Sequence, residues 1–552
     1  METSFEAADA AIARLAQHKQ TWICLTIEQR LHYLHRCIDL TLAVAERWAQ
    51  AACEAKGIDP NASLGGEEWV TGPTALLLNL RYLSQSLAAK GQPQPVAMTT
   101  QANGQLVAQV FPDSCMDRLL WLGFKGEVWI EPGKPPTQGF IYREPPPTGR
   151  VALVLGAGNI AAIAPMDALY KLFVEGEVVL LKMNPVNEYL GPILEQALQP
   201  LLDDGFLAVV YGGAELGRYL CHHPTIESVH ITGSHRTHDA IVWGTAPDEQ
   251  QQRKVANQPL LTKPITSELG CVTPILVVPG AWSDADLRYQ AHHVASMVVH
   301  NASFNCVAAK VVVTATGWKQ REAFLAQLHQ ALAQSQVRKA YYPGAQQRYQ
   351  AFLDRYPQAQ GLGDRTEEIV PWTVIPQVSP QPNEYALREE AFCGVLAEVT
   401  LETADAASFL TRAPEFANQT VWGNLSCVLL IDPKTQRRHP KELEGAIAAL
   451  RYGGIGVNVW TGMNFLLPSV TWGAFPDNSL SNIRSGRGVV HNTYLFEHPQ
   501  KSVVYSPFRP LTKPIYFAGH RNLLHLAKQF SRLQVKPSWS RFVQVVLAAF
   551  QA

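Results

Sequence analysis

Residues 151–182 read VALVLGAGNIAAIAPMDALYKLFVEGEVVLLK, and their pattern decides the fold. Residues 151–155 are a continuous apolar run of strand type, 163–174 carry helical spacing, and 177–182 return to a strand. The alternation continues outward: 190–202 read as a helix, 207–211 as a strand, 214–222 as a helix and 228–231 as a strand. Strands alternating with helices of roughly ten to fifteen residues specify a parallel sheet of βαβ units, with ligands at the strands' carboxyl ends. A second series follows, with strands at 274–278 and 310–313 and helices at 284–301 and 320–334. It predicts a second α/β domain that begins near Gly270.

The flanks differ. Residues 5–56 read as helices, with Leu31, Leu34, Ile38 and Leu42 at three- and four-residue spacing. After breaks at 59–61 and 65–66, helix is expected again over 69–87. Residues 105–149 carry short β-prone runs at 106–111, 127–130 and 139–142, closed by Pro145-Pro146-Pro147. Beyond Glu497 no acidic residue remains, while eight lysines and arginines, from Lys501 to Arg541, populate the end of the chain. The apolar positions Leu523, Leu526, Phe530 and Leu533 interleave with these cations. They read as an amphipathic helix that packs on its own protein, with an anionic membrane surface as the alternative.

Composition bounds the class. The 552 residues are 47% hydrophobic and 17% charged, with a net charge of -1. That profile is a soluble, multidomain globular protein with no electrostatic reason to bind nucleic acid. The nine cysteines are scattered without a C-x-x-C pair, which fits a reducing, cytoplasmic setting. The N-terminus lacks the basic start and apolar core of a signal peptide, and no apolar run approaches the length of a spanning helix. The histidines (His222, His223, His235, His238) have no metal spacing, so no metal is assigned.

Two patterns carry chemistry. Gly156-Ala157-Gly158-Asn159-Ile160-Ala161 follows a strand and precedes a helix. It reads either as a dinucleotide fingerprint, with Glu175 or Glu177 as the ribose acid, or as a loop that presents the Asn159 amide to a reacting carbonyl. Residues 301–306 read NASFNC and end on Cys306, with Glu268 thirty-eight residues upstream. A thiol can attack an aldehyde, and a carboxylate can activate the water that frees the product.

The longer order resembles the aldehyde dehydrogenase superfamily. Asn159 precedes Lys182 by one helix and one strand. Tyr211-Gly212-Gly213 and Ile231-Thr232-Gly233-Ser234 are similar to the family's glycine turn and Phe-Thr-Gly-Ser segment. Glu268-Leu269-Gly270, Asn301 to Cys306, and Glu389-Glu390-Ala391-Phe392 then follow in the family's order. The resemblance covers roughly residues 140 to 400 and favours Asn159 as the working residue of its loop. It implies an NAD(P)-binding domain over 1–117 and 150–269 and a thiol domain over 270–480. An oligomerisation arm over 118–149 and 498–510, whose last strand adds to a neighbour's sheet, and a basic helical tail over 511–552 complete the expected layout.

The resemblance also implies roles. Cys306 is the nucleophile, Asn159 with the Cys306 main-chain amide the oxyanion hole, and Glu268 the base for thioester hydrolysis. Lys182 and Glu390 would hold the riboses and Ser234 the pyrophosphate, with Gly212, Gly233 and Phe392 completing the cofactor site. The sequence departs from the family at Asn184-Pro185, where the ribose carboxylate is missing, so NADP is as plausible as NAD. Ser303 and Phe304 replace the family's glycine and glutamine, and Cys393-Gly394 replaces Gly-Pro. The activity expected is oxidation of an aldehyde to its acid by a homodimer or larger assembly. A coenzyme A-acylating reductase and a catalytically silent scaffold are the alternatives. Trp460, Phe465, Trp472, Phe475 and the region of Phe304 suggest an apolar, aromatic or long-chain aldehyde.

Overall fold

The structure, a computed structural model, describes residues 2–551. Two long helices open the chain, α1 (Phe5–Cys24) and α2 (Ile27–Ala55). Ser4 caps the first by accepting from the Ala7 amide, and Thr26 with Gln29 forms a reciprocal capping box at the second. Helices α3 (Gly65–Trp69) and α4 (Ala75–Ala88) follow, separated by a wide turn around Pro73, which has no N–H to donate. Next come β1 (Ala97–Thr100), β2 (Leu106–Phe111) and β3 (Lys125–Ile130). The strand expected at 139–142 is instead a helical turn, Phe140–Arg143, which starts from Gly139 at a left-handed φ of 64°.

The alternating region forms β4 (Val151–Leu155), α5 (Ile163–Tyr170), β5 (Val178–Lys182), β6 (Leu207–Val210), α6 (Ala214–His222), β7 (Ser228–Gly233), α7 (His235–Trp243) and β8 (Ile265–Leu269). Strands in the order β8-β7-β4-β5-β6 run parallel. Strand β5 is buried throughout, which explains its uninterrupted apolar run. The single helix expected over 190–202 is two, Gly191–Ala197 and Gln199–Asp203. Pro200 has no N–H for the ladder, and its ring displaces the carbonyl of the preceding turn.

The second series supplies β9 (Thr273–Val277), α8 (Asp284–Val299), β10 (Ala309–Ala315), β11 (Gln360–Gly361), β12 (Thr373–Val378), β13 (Val395–Leu401), β14 (Ser426–Leu430) and β15 (Gly454–Val457). Short strands β16 (Trp472–Gly473), β17 (Gly486–Arg487) and β18 (Val489–His491) precede β19 (Pro499–Tyr505). Strand β17 pairs antiparallel with β8, so the segment after β15 reaches back to the first sheet. The second sheet has eleven strands in the order β1-β2-β3-β19-β15-β14-β9-β10-β13-β12-β11.

Strand β19 departs from expectation. It pairs antiparallel with β3 and parallel with β15 in the same chain. Both of its edges are hydrogen-bonded in cis, so the addition of this strand to a neighbour's sheet is not what the structure shows. The supposed arm extends the chain's own sheet, and the backbone groups that motivated a partner are already paired.

The tail forms α9 (Leu523–Val535) and α10 (Trp539–Phe550). Helix α9 turns Leu523, Leu526, Phe530 and Leu533 inward. It packs so closely on α3 that a β-carbon on Gly66 would collide with the backbone at Leu523 and Leu524. Thr74 and Ser531 hydrogen-bond at 2.7 Å, and Lys528 donates to Glu46 at 2.7 Å. The apolar face of α9 therefore packs on its own protein, and nothing in this contact supports a bilayer there. On α10, Trp539, Val543, Leu547 and Phe550 are exposed. Among the described residues, no helix is long and apolar enough to cross a membrane.

Candidate active site

The carboxyl ends of the parallel strands converge on one cleft of about 980 Å³, at the upper end of ordinary ligand pockets, roughly 300–1,000 Å³. Strand β4 delivers Asn159, β5 delivers Lys182, β7 delivers Gly233 and Ser234, and β8 delivers Glu268. The second domain contributes Cys306, Glu390 and Phe392 to the same walls. Gly212 stands apart, since its neighbour Gly213 is the glycine that faces the cleft. Glu175 and Glu177, the acids of the fingerprint reading, both lie against Lys171, at 2.5 Å and 3.7 Å, away from the cleft. That removes the fingerprint reading of the Gly156–Ala161 loop.

The thiol sits at the end of an unusual turn. Asn301, Ala302 and Ser303 take left-handed φ values of 52°, 53° and 66° in succession. Each costs a non-glycine residue about 1–2 kcal/mol, so the surroundings must hold the turn. Lys56 Nζ donates to Asn301 Oδ1 at 2.9 Å, and the Asn301 amide donates to Glu67 Oε1 at 3.0 Å. Lys310 Nζ donates to Ser303 Oγ at 3.0 Å. Lys56 is itself paired with Glu68 at 2.9 Å, and Glu67 with Arg338 at 2.9 Å. Ser303, in the family's glycine position, thus has a buried lysine as its partner.

Cys306 Sγ lies 3.3 Å from Glu268 Oε1 and donates to it. Burial, then the nearby Glu268 and Glu390 charges, push the thiol well above its ordinary value. Burial, with the Asp167 charge behind it, pushes Glu268 up to about 8. Glu268 Oε2 has no hydrogen-bond partner among the described residues. Both shifts favour the protonated, uncharged forms of the pair. Asn159 Nδ2 donates one hydrogen to Phe304 O at 3.1 Å, and its second hydrogen remains for a ligand.

Elsewhere in the cleft, Lys182 donates to Met183 O at 3.3 Å. Ser234 caps α7, accepting from the Thr237 amide at 3.1 Å, so a helix N-terminus faces the cavity. Glu390 accepts from the Cys271 amide at 3.3 Å, and a β-carbon on Gly270 would collide with its carboxylate. Sequence reasoning missed Arg348, which donates to Ala391 O and Phe392 O at 3.2 Å each and fixes Phe392 at its left-handed φ of 42°. It also missed Lys56 and Glu67, which act on Asn301 from 245 and 234 positions away, and Lys310, which lies seven positions from Ser303 but stands in no motif.

A second, smaller cavity of about 50 Å³ meets the cleft at Cys306. Trp460, Phe465 and Trp472 line it as expected of an apolar channel, whereas Phe475 does not. Phe304 does not either. It is buried among Tyr341, Tyr342 and Phe392, at ring distances of 5.0, 5.8 and 5.9 Å. Val70 and Thr71, between α3 and α4, also line the cavity.

The sequence profile described as "Aldehyde dehydrogenase family" matches residues 124–469. This chain belongs to the aldehyde dehydrogenase family. The vanillin dehydrogenase of Pseudomonas fluorescens is 24% identical over 330 residues, 59% of this chain and 55% of that protein. The 4-trimethylaminobutyraldehyde dehydrogenase A of Danio rerio is 31% identical over 147 residues, 26% of this chain and 25% of its own length. The aldehyde dehydrogenase alignments thus span about a quarter to just over half of the curated relatives' length. The NAD-dependent aldehyde dehydrogenase of Sinorhizobium meliloti superposes with a TM-score of 0.62 at 20% identity, covering 93% of this chain and 89% of that one. A Mycobacterium tuberculosis aldehyde dehydrogenase solved with NAD+ gives 0.62 at 17%, covering 93% and 92%. The aldehyde dehydrogenase fold therefore extends over nearly the whole chain.

Proposed function

We propose that the protein oxidises an uncharged aldehyde to its carboxylic acid with a nicotinamide dinucleotide, through a thioester on Cys306. The observation that carries this reading is the 3.3 Å approach of Cys306 Sγ to Glu268 Oε1, where the large cleft meets the small apolar cavity. The large cleft fits an extended dinucleotide, with Ser234 and the α7 N-terminus for the pyrophosphate and Lys182 and Glu390 for the riboses. A bound nicotinamide dinucleotide supplies the hydride acceptor. Asn184 and Pro185 line the cleft without a carboxylate, so a 2′-phosphate meets no local repulsion from them and both NAD and NADP serve. In this reading residues 1–117 with 150–269 hold the cofactor, and 270–480 hold the thiol.

The chain's residues act in sequence. Cys306, having released its proton to solvent, adds through Sγ to the aldehyde carbon, and the new alkoxide accepts from Asn159 Nδ2 and the Cys306 amide. Loss of the aldehydic hydrogen with its electron pair leaves an acyl thioester on Cys306. Glu268, having released its proton to solvent, takes one from water, whose oxygen attacks the thioester carbonyl. The C–S bond breaks, the acid leaves, and the thiol is restored. A buried base within reach of the sulfur favours water over coenzyme A as the acceptor. All nine cysteines are free thiols, which suits a reducing, cytoplasmic setting. The test is cofactor reduction by purified protein with aldehyde and no coenzyme A. Turnover only when coenzyme A is added would replace hydrolysis by acyl transfer.

A further inference from the structure

The small cavity at Cys306 has a wall that comes from the end of the chain. Ile515 and Tyr516, in the segment between β19 and α9, line it together with Trp460, Phe465 and Trp472. The segment is firmly anchored. Tyr516 accepts from the Trp460 amide at 3.3 Å and lies 2.7 Å from His293 Nε2. Burial pushes His293 down to about 3, so its ring is neutral. With Nδ1 donating to Gln290 Oε1 at 3.0 Å, Nε2 accepts the Tyr516 proton. The Ala518 amide donates to Ser296 Oγ at 2.9 Å, and the Leu523 amide to Ser63 Oγ at 2.9 Å. A relay on α8 and a contact beside α3 thus hold these two residues in place.

We propose that Ile515 and Tyr516 set the substrate length, closing the cavity so that the protein takes short, uncharged, apolar aldehydes. This rests on the reading of Cys306 as the nucleophile. About 50 Å³ is room for only about three to five water-sized atoms, at roughly 10–15 Å³ each. Among the described residues lining the cavity there is no lysine or arginine, and burial holds His300 below its ordinary value, so a carboxylate-bearing aldehyde has no cationic partner there. The one acid, Glu67, is held at about 2 and is tied to Arg338 and the Asn301 amide. A long acyl chain would have to displace Ile515 or Tyr516 from contacts the fold has already made.

The test is a series of linear aldehydes from acetaldehyde to decanal, plus a carboxylate-bearing and a trimethylammonium-bearing aldehyde. It is run on the full chain and on Ile515→Ala, Tyr516→Ala and Tyr516→Phe, each checked by thermal unfolding. In the unmodified protein kcat/KM is greatest for the short members and falls at least about tenfold by octanal. Ile515→Ala and Tyr516→Ala raise the octanal-to-propanal ratio about tenfold, while Tyr516→Phe, which keeps the ring, does not. An unmodified protein that prefers octanal or a charged aldehyde to propanal overturns the proposal. So does a ratio that is unchanged in Ile515→Ala, the milder of the two truncations. Absence of turnover with every aldehyde would instead sink the proposed activity itself, and this inference with it.

Discussion

Lys56 Nζ and Asn301 Oδ1 lie 2.9 Å apart, although 245 residues separate them in sequence. The lysine ends α2, and the asparagine opens the left-handed turn that carries Cys306. The same ammonium pairs with Glu68 and donates to Asn159 O at 3.3 Å. One buried cation therefore joins the N-terminal helices, the asparagine loop and the thiol loop.

Removing that cation has a defined cost. Lys56→Met would leave the Glu68 carboxylate buried without its charge partner, a loss of about 3–5 kcal/mol. Urea unfolding should show it as a lower midpoint with the same slope. A change below about 1 kcal/mol would mean the pair contributes nothing to the fold.

The pH dependence follows from Glu268. Its carboxyl holds its proton up to about 8, and deacylation needs it unprotonated. Turnover should therefore rise with pH and level off above about 8. Between 4.5, its ordinary value, and about 8 the folded carboxyl keeps a proton that the unfolded chain releases. Folding stability from this group thus falls as pH rises through that window. Glu268→Gln should remove that slope, and a pH profile unchanged in Glu268→Gln would contradict the assignment.

Deacylation should also separate from acylation. In Glu268→Gln, stopped-flow mixing with aldehyde and NAD+ should give a burst of reduced cofactor close to the enzyme concentration, followed by slow turnover. A linear trace without a burst would place the slow step before the thioester.

Pairing of β19 in cis predicts a sheet that needs no neighbour. The unfolding midpoint should then stay constant on dilution from micromolar to nanomolar protein, because nothing concentration-dependent completes the fold. A midpoint that falls with dilution would indicate completion by a second copy.

The βαβ alternation made the first sheet legible, since its central strands β4, β5 and β7 are buried on both faces and carry their apolar runs openly. Cys306, Glu268 and Asn159 were legible because they stand in local patterns. Strand β19 was readable as a strand, but its partner was not, because sequence does not say which edge a strand joins. The Lys56 and Lys310 contacts left no signal, being single residues whose partners are set by tertiary packing. Phe304 was misplaced because a residue beside a nucleophile can turn to either side of the loop, and three left-handed residues before it turn it inward.

The account rests on a covalent acyl group at Cys306. Glu268→Gln protein mixed with aldehyde and NAD+, quenched in acid and digested, should yield the peptide containing Cys306 with the acyl mass added, and the other eight cysteines unmodified. An acyl group on another cysteine, or none on Cys306 while reduced cofactor forms, would contradict it.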